Sequence, residues 1–388
     1  MAPVINRCSG RQPSATAFLP AWKGGSASHI MAEPRASRDH REPPSQSSGA
    51  ASLEAAVPGR PNDPMDPVVS VIIPCFNSAK TIERTLASVR QQTGCDYEII
   101  AVDDCSTDDT LAILQRRKGG GLRVIARDRN SGSPPTPRND GIAAARGAFL
   151  AFLDHDDEWY PDYLRRQIAV IAQHGEMVMV GYRAEENQRD GSRTPVNQYR
   201  RPPSGREAWR TMLRESFYVP SVVVARTEAV RRIGGFDPTR RSGDEDQDFF
   251  IRLALAGEVG FLDQILAVVH EHPGNMSKRV SMRMHETTLP MILAHCRALR
   301  GRLTRRELRD ILGARYSHTG RNVYRLHPVI GVRLLLQASA LGSEPLANLW
   351  YLVTASRWGR WAKRRLLGCG RKTAAGAGAT PPPGGARG

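Results

Sequence analysis

Cysteine is sparse in this 388-residue chain and unpatterned where it occurs. Cys8, Cys75, Cys95, Cys105, Cys296 and Cys369 form no C-x-x-C pair and no repeated spacing, which excludes a zinc ribbon or a disulfide framework and reads as reduced thiols in a cytosolic protein. Long apolar runs are missing as well. No stretch of about 18 uninterrupted apolar residues exists, so a transmembrane helix is not expected. The longest apolar stretch near the N-terminus, around Ala17 to Trp22, is short and broken by Pro20, unlike a secretory signal. The glycine fingerprint G-x-G-x-x-G is absent after the first strand-like run, where the chain reads PCFNSAK (74–80). This counts against a nicotinamide-dependent oxidoreductase.

Acidic residues are scarce in one region only. The chain holds 55 Lys+Arg against 39 Asp+Glu, a net charge of +16, yet residues 67–277 hold 27 basic and 29 acidic groups while residues 278–388 hold 21 and 4. The excess therefore sits in the last 111 residues. Net charge alone raises a non-enzymatic nucleic-acid-binding protein as an alternative. That class needs cations interleaved with stacking aromatics on the ordered part, and here the ordered part is slightly acidic, so no nucleic-acid partner is expected.

What is present is enough apolar sequence for a real core, 40% of the chain, at a length of two or three domains of about 150 residues each. Residues 1–66 carry nine Pro and nine Ser with almost no apolar periodicity, a composition that cannot offset its ordering entropy, and are expected to be a disordered extension. Met65, just before the first strong strand, is an expected alternative start of translation. From residue 68 the pattern changes. VVSVIIP (68–74), YEIIAVDD (97–104), LRVIARD (122–128) and AFLAFLD (148–154) are buried-strand runs separated by amphipathic helices reaching about 92, about 114 and 136–146. Such βαβ units predict a mainly parallel sheet with helices on both faces. A helix over about 162–174, a strand over 177–182, a polar loop over 185–203, a helix over 204–216 and a strand over 219–225 continue a catalytic domain to 277. Residues 278–368 read as a basic helical region and 369–388 as a Gly/Ala/Pro tail.

Ligands of open parallel sheets bind at the carboxyl ends of strands. Asp103 and Asp104 end the second strand, and Asp154, Asp156 and Asp157 end the fourth. Any one of them could be the ordinary cap of the next helix, but five carboxylates at two strand ends exceed what capping needs. FLDHDDEW (152–159) crowds like charges against a buried strand, a costly arrangement without a cation between them. Oxygen ligands of this kind favour Mg2+ or Mn2+, ions that also hold substrate phosphates, and so point to a diphosphate-bearing substrate. A second acidic cluster, GDEDQDFF (243–250), follows the turn GGFD (234–237) and opens an apolar helix. Acids at a helix start are ordinary; paired with the first cluster they offer a separate carboxylate to take a proton.

In order along the chain, VSVIIPCFN (69–77), VDDCSTDDT (102–110), PRNDGIAAARGAFLAFLDHDD (137–157), YPDYL (160–164), GGFD (234–237), EDQDFFIRL (245–253) and HEHPGNMS (270–277) resemble the motifs of family 2 glycosyltransferases of the bacterial type. The resemblance covers about 210 residues. It implies a GT-A nucleotide-diphospho-sugar transferase fold, Rossmann-like, with the helical region appended. It implies an inverting transfer of a sugar from a nucleotide-diphosphate donor to an acceptor hydroxyl, in cell-surface polysaccharide or glycolipid synthesis.

Position by position, the resemblance implies that Pro74 and Phe76 line the base pocket with Asp103 and Asp104 on base and ribose, and Arg138 is placed among the donor contacts. Asp154 and Asp156 match the D-x-D pair that holds nucleotide and Mn2+ or Mg2+, with Asp157 as a close alternate ligand. Asp246 matches the general base, supported by Glu245 and Asp248. His272 matches a diphosphate contact, and His270 stands where the family often has Arg. The basic stretch SRWGRWAKRRLLG (356–368), with Trp358 and Trp361 beside Arg357, Arg360, Lys363, Arg364 and Arg365, suits an anionic membrane surface carrying a lipid-linked acceptor. A cytoplasmic protein, peripheral at the inner face of the cell membrane, is the expected localisation.

Overall fold

The structure is a computed structural model that describes residues 68–187, 192–195, 202–240, 244–270 and 284–355. The expectations for 1–66, Met65, His272, 356–368 and 369–388 lie outside the described residues.

Seven consecutive buried residues, VSVIIPC, make β1 (Val69–Cys75) an interior strand of a nine-stranded sheet. Apolar side chains on both faces mean cover on both faces. β2 (Tyr97–Asp103) and β4 (Phe149–Phe152) flank β1 in parallel, and β3 (Leu122–Ala126) lies parallel outside β2. This is the predicted parallel half. Beyond β4 the sheet becomes mixed: β8 (Val223–Arg226) runs antiparallel to both β4 and β6 (Met177–Asn187). The cause is local, because the chain enters β8 through a 3₁₀ turn, Pro220–Val222, seated at the end where β4 leaves. β9 (Glu258–His270) is parallel to β6, and the short β5 (Glu158–Trp159) and β7 (Arg193–Pro195) pair antiparallel with β9 and β6.

The connecting helices are α1 (Ile82–Arg90), α2 (Thr110–Arg116), α3 (Pro135–Ala144), α4 (Tyr163–Gln173), α5 (Ala208–Arg214), α6 (Thr227–Arg232) and α7 (Glu245–Ala256). α3 packs on β1 and β2, α4 on β6 and β9, and α7 on α5 and β6. Phe152 of β4 sits edge-on to Phe236 at 5.3 Å, and Phe236 stacks on Phe249 of α7 at 3.9 Å. These rings tie the GGFD turn and α7 to the sheet behind the site.

A single π turn, Met284–Thr288, leads into α8 (Leu289–Ala298), α9 (Arg305–Tyr324), α10 (Pro328–Ala340) and α11 (Pro345–Ala355). α9 starts with a reciprocal capping box between Thr304 and Glu307. Met291, Ile292 and Cys296 of α8 and Ile311 of α9 belong to the same buried core as the strands. No helix among the described residues is long and apolar enough to cross a membrane. Cys75, Cys95, Cys105 and Cys296 are free thiols, and burial pushes Cys95 up to about 12 and Cys296 to about 11.

Candidate active site

The carboxyl ends of β1, β2 and β4 lie side by side, and the chain leaves each through a polar loop. Pro74 is buried in β1 opposite Val102, past the point where the β4 ladder ends at Ile72 and Phe152. Phe76, just beyond, is 43% exposed at the mouth of the site. Asn77 and Cys105 both adopt positive φ, 50° and 60°, a conformation that costs a cysteine of order 1–3 kcal/mol. Asn77 Oδ1 accepts from Thr107 N at 2.8 Å and Asn77 N donates to Ser106 Oγ at 3.0 Å, so the two loops are latched together.

The two carboxylates at the end of β2 divide the work. Asp104 accepts from Ser131 N and Oγ and pairs with Arg127 Nε at 2.9 Å, which spends both oxygens on bracing the 130–133 loop. Asp103 accepts from Ser106 N through Oδ2, while its buried Oδ1 has no partner. An unpartnered buried carboxylate oxygen is costly unless a ligand donor fills it. Asp103 is thus the member of the pair with an acceptor to spare.

After β4 the turn 154–157 is held from behind by α1. Thr85 Oγ1 donates to the carbonyls of His155 and Asp157, both at 2.9 Å, and Arg84 Nη2 donates to that of Asp156 at 2.8 Å. Asp154 and Asp156 are left partly exposed. Asp157 turns inward instead: it accepts from Ser221 Oγ at 2.6 Å and from His270 N at 3.2 Å. Burial, then repulsion from Asp156 and Asp154, pushes its carboxyl well above the usual carboxylate range. Ser221 Oγ also accepts from Asp154 N at 3.1 Å, and its carbonyl accepts from Trp159 Nε1 at 2.8 Å. Ser221 therefore fixes the turn's geometry. A lone serine after a proline carries no signal that a single sequence could have revealed.

Arg138 joins the two acidic clusters. It is 3% exposed, donates to Asp154 Oδ1 at 2.7 Å and stands 3.6 Å from Glu245 Oε1 at the start of α7. Burial alone would lower its pKa, but Asp154, Glu245 and Asp246 outweigh that and hold the guanidinium charged. α3 is tied to the GGFD turn, because Asn139 Nδ2 donates to Phe236 O at 2.7 Å and Asn139 Oδ1 accepts from Phe236 N at 2.9 Å. The turn needs glycine: Gly235 has φ +68°, and a Cβ there would lie 2.6 Å from Asn139 Oδ1.

Asp246 accepts from Gln247 N at 2.6 Å. Burial first, then the Glu245 charge, raises its pKa to about 7, with Arg138 opposing. A carboxylate poised near neutrality is suited to taking a proton. Asp248 faces away and is bound by His295 Nε2 at 2.9 Å and Arg252 Nε at 2.7 Å. His270, at the end of β9, has Nε2 2.6 Å from Glu158 Oε1, and burial followed by Arg84 lowers its pKa. It supplies backbone support to Asp157 and no fixed cation.

Comparisons with known proteins bear on the family and the fold. The glycosyl transferase family 2 model matches residues 70–234. That segment is similar to glycosyl transferase family 2 over less than half of the chain. Among relatives, the succinoglycan biosynthesis protein ExoO of Rhizobium meliloti is 46% identical over 102 residues, 26% of this chain and 29% of that protein. The putative teichuronic acid biosynthesis glycosyltransferase TuaG of Bacillus subtilis is 42% identical over 104 residues, 26% of this chain and 41% of that protein. The matches thus span well under half of these relatives. Among solved structures, S. aureus TarS 1-349 superposes with TM-score 0.55 at 21% identity, covering 77% of this chain and 91% of that one. The mannosyltransferase PcManGT from Pyrobaculum calidifontis gives 0.51 at 19%, covering 81% and 88%. These likenesses establish the fold. The α7 carboxylates lie C-terminal to the matched segment, and Arg138 and Phe152 of that segment hold α7, Arg138 at 3.6 Å from Glu245 and Phe152 edge-on to Phe249 at 5.6 Å.

Among the described residues no three His, Cys, Asp or Glu side chains converge as a ready-made cation cage. The chemistry of the donor set still fits Mg2+ or Mn2+, which bind through one or two carboxylates and complete their shell with substrate phosphates. Asp154 and Asp156 offer those carboxylates, and the repulsion they exert on Asp157 is what a divalent cation would relieve.

Proposed function

We propose that this protein is an inverting glycosyltransferase that moves a sugar from a nucleoside diphosphate donor to an acceptor hydroxyl in the synthesis of a cell-surface polysaccharide or glycolipid. The observation that carries the reading is the convergence at Arg138, which sets Asp154 of the strand-end cluster and Glu245 beside Asp246 on one guanidinium. The relatives named for succinoglycan and teichuronic acid synthesis support the polysaccharide class.

In this mechanism Asp103 receives the base or ribose through its spare oxygen, with Asp104 holding the neighbouring loop and Pro74 and Phe76 forming the wall. Asp246 accepts the proton of the acceptor hydroxyl, whose oxygen bonds to the anomeric carbon as the bond to the diphosphate oxygen breaks on the opposite face. Glu245 keeps Asp246 basic through like-charge repulsion, and Arg138 orients Asp154 and limits that repulsion. Asp154 and Asp156, with Asp157 behind them, would hold Mn2+ or Mg2+, which when bound stabilises charge on the leaving diphosphate. His272 is assigned to the diphosphate by sequence. The acceptor is a glycan or lipid-linked glycan, met at the inner face of the membrane through the basic segment 356–368.

The test is a screen of nucleotide sugars for Mn2+-dependent hydrolysis and transfer by the full chain, followed by calorimetry on Asp156→Ala. Turnover of one donor, and loss of metal-dependent nucleotide binding in the variant, are expected. Absence of turnover with every donor, together with salt-sensitive binding to DNA, would sink the proposal.

A further inference from the structure

Nine large apolar side chains stand exposed among the described residues. Phe76 stands at the mouth of the site and Val219 just before the Pro220–Val222 turn; the other seven all fall from Leu326 to Val353. Such clustering on one helical pair is what marks an interaction surface, whereas scattered apolar exposure is normal.

α11 has the sharpest pattern. Leu346, Leu349, Trp350 and Val353, spaced i, i+3, i+4 and i+7, are 54–81% exposed on one face. The opposite face is anchored to α9: Asn348 Oδ1 accepts from Ser317 Oγ at 2.7 Å and from Arg321 Nη2 at 2.9 Å, and Tyr351 Oη donates to Arg321 O at 2.7 Å. Those bonds keep the apolar stripe turned outward. α10, packed beside it, adds exposed Val329 and Leu336.

Charge selects the occupant. α11 contains no charged residue, and from Pro345 to the end the chain has eight Lys and Arg and no Asp or Glu. A second copy of the chain would bring the same sign of charge to the contact, whereas an anionic bilayer brings the opposite one. We propose that the outward face of α11, with the exposed apolar residues of α10, is the surface on which this protein lies on an anionic lipid bilayer, its apolar side chains at the headgroup boundary. The inference rests on the membrane placement proposed above and assigns it to described residues; it does not require the transfer chemistry.

The experiment is flotation of the full chain with vesicles of phosphatidylcholine alone and of phosphatidylcholine with phosphatidylglycerol. It compares wild type, Leu346→Ser/Trp350→Ser, and a chain ending at Ala355, with light scattering for oligomeric state. Wild type should float with the anionic vesicles only. The serine variant should lose at least about tenfold in vesicle affinity, since burial of each CH2 counts in membrane binding, with its unfolding midpoint and nucleotide-sugar turnover unchanged. Wild-type binding by the serine variant overturns the stripe; if the chain ending at Ala355 then fails to bind, the membrane placement survives through 356–368 alone. A wild-type chain that ignores anionic vesicles overturns both. A dimer that the serine substitutions dissociate, or tighter binding once 356–388 is removed, shows the stripe covered by a second copy or by the chain's own tail, and overturns it as well.

Discussion

At the carboxyl edge of the sheet, charges of one sign are crowded: Asp154, Glu245 and Asp246 surround one buried guanidinium, and Asp157 lies just beneath. In the helices that follow residue 284 the charges have the other sign and are dispersed. Two side chains of that region reach the crowded edge from behind, His295 onto Asp248 and Arg315 onto the carbonyls of Met212 and Leu213 beside Gln247. The contrast separates two uses of charge. Crowding shifts proton affinities and makes a site reactive, whereas isolated, fully bonded cations hold the element that carries the reactive group. The helical region is thereby a brace for α7 on its inner side and presents exposed apolar side chains on its outer side.

The largest break in this comparison comes from removing the reactive carboxylate. Asp246→Asn should lower turnover about 10²–10⁴-fold while nucleotide-sugar binding is retained. With the wild type, turnover should fall as pH drops below about 7, because the base must be ionised, and the Asn variant should lack that limb. The shift also has a stability sign. Folding raises this carboxyl's pKa, so the folded state gains from the proton at low pH and loses stability as pH rises through about 7. At pH 8 the Asn variant should therefore unfold at a higher temperature than wild type. Near-normal transfer by the variant would remove Asp246 from the chemistry.

Next in size is Arg138→Met, which leaves Asp154 and Glu245 facing each other without their shared cation. Breaking a buried pair in this way costs about 3–5 kcal/mol, readable as a lower denaturation midpoint. Arg138→Lys should recover part of it, since an ammonium supplies charge but cannot span both carboxylates as a planar fork does. Equal stability of wild type and the Met variant would mean that the two clusters do not depend on each other.

The crowded edge was largely legible in the sequence, and the brace was not. Runs such as VVSVIIP and AFLAFLD are almost wholly apolar, so strands of the buried kind are forced; Asp154 follows just beyond the end of β4, and Asp103 closes β2. The position of Asp246 at the head of an apolar helix was readable for the same reason. Strand β6 outran its expected end at Tyr182 by five residues, because RAEEN has no strand pattern of its own and is held by pairing with β9. The antiparallel entry of β8 likewise depends on where Pro220–Val222 docks. Ser221, His295 and Arg315 look like ordinary surface residues in the linear chain, since their partners lie 47 to 103 positions away or across the sheet.

Arg315 separates a structural brace from a merely solvated cation. It is 4% exposed, and burial lowers its pKa to about 10, with Glu215 opposing. Its Nε and Nη2 donate to Leu213 O and Met212 O at 2.6 and 2.8 Å, satisfying the last carbonyls of α5. Arg315→Met keeps much of the volume and removes those donors, so a loss of about 1.5–3 kcal/mol is expected for bonds to a charged group. Turnover should change far less than in Asp246→Asn, and the same melting curves decide it: an unchanged midpoint would reduce Arg315 to packing.

The smallest effect, and the finest test of the brace, lies at His295. Burial pushes the Asp248 carboxyl up, but His295, Arg252 and Arg240 together hold it below the usual carboxylate range. A depressed pKa contributes stability above the unfolded value and loses it as pH falls through the folded one. His295→Ala leaves Asp248 with Arg252 at 2.7 Å and Arg240 at 3.4 Å, so the loss at pH 7 should be only about 0.5–1.5 kcal/mol. The acid unfolding midpoint should move to higher pH, because the depression is smaller. Combining it with Asp248→Asn in a double-mutant cycle isolates the pair: a coupling indistinguishable from zero would mean that α8 touches the catalytic helix without steadying it, and that α7 is braced through Arg315 alone.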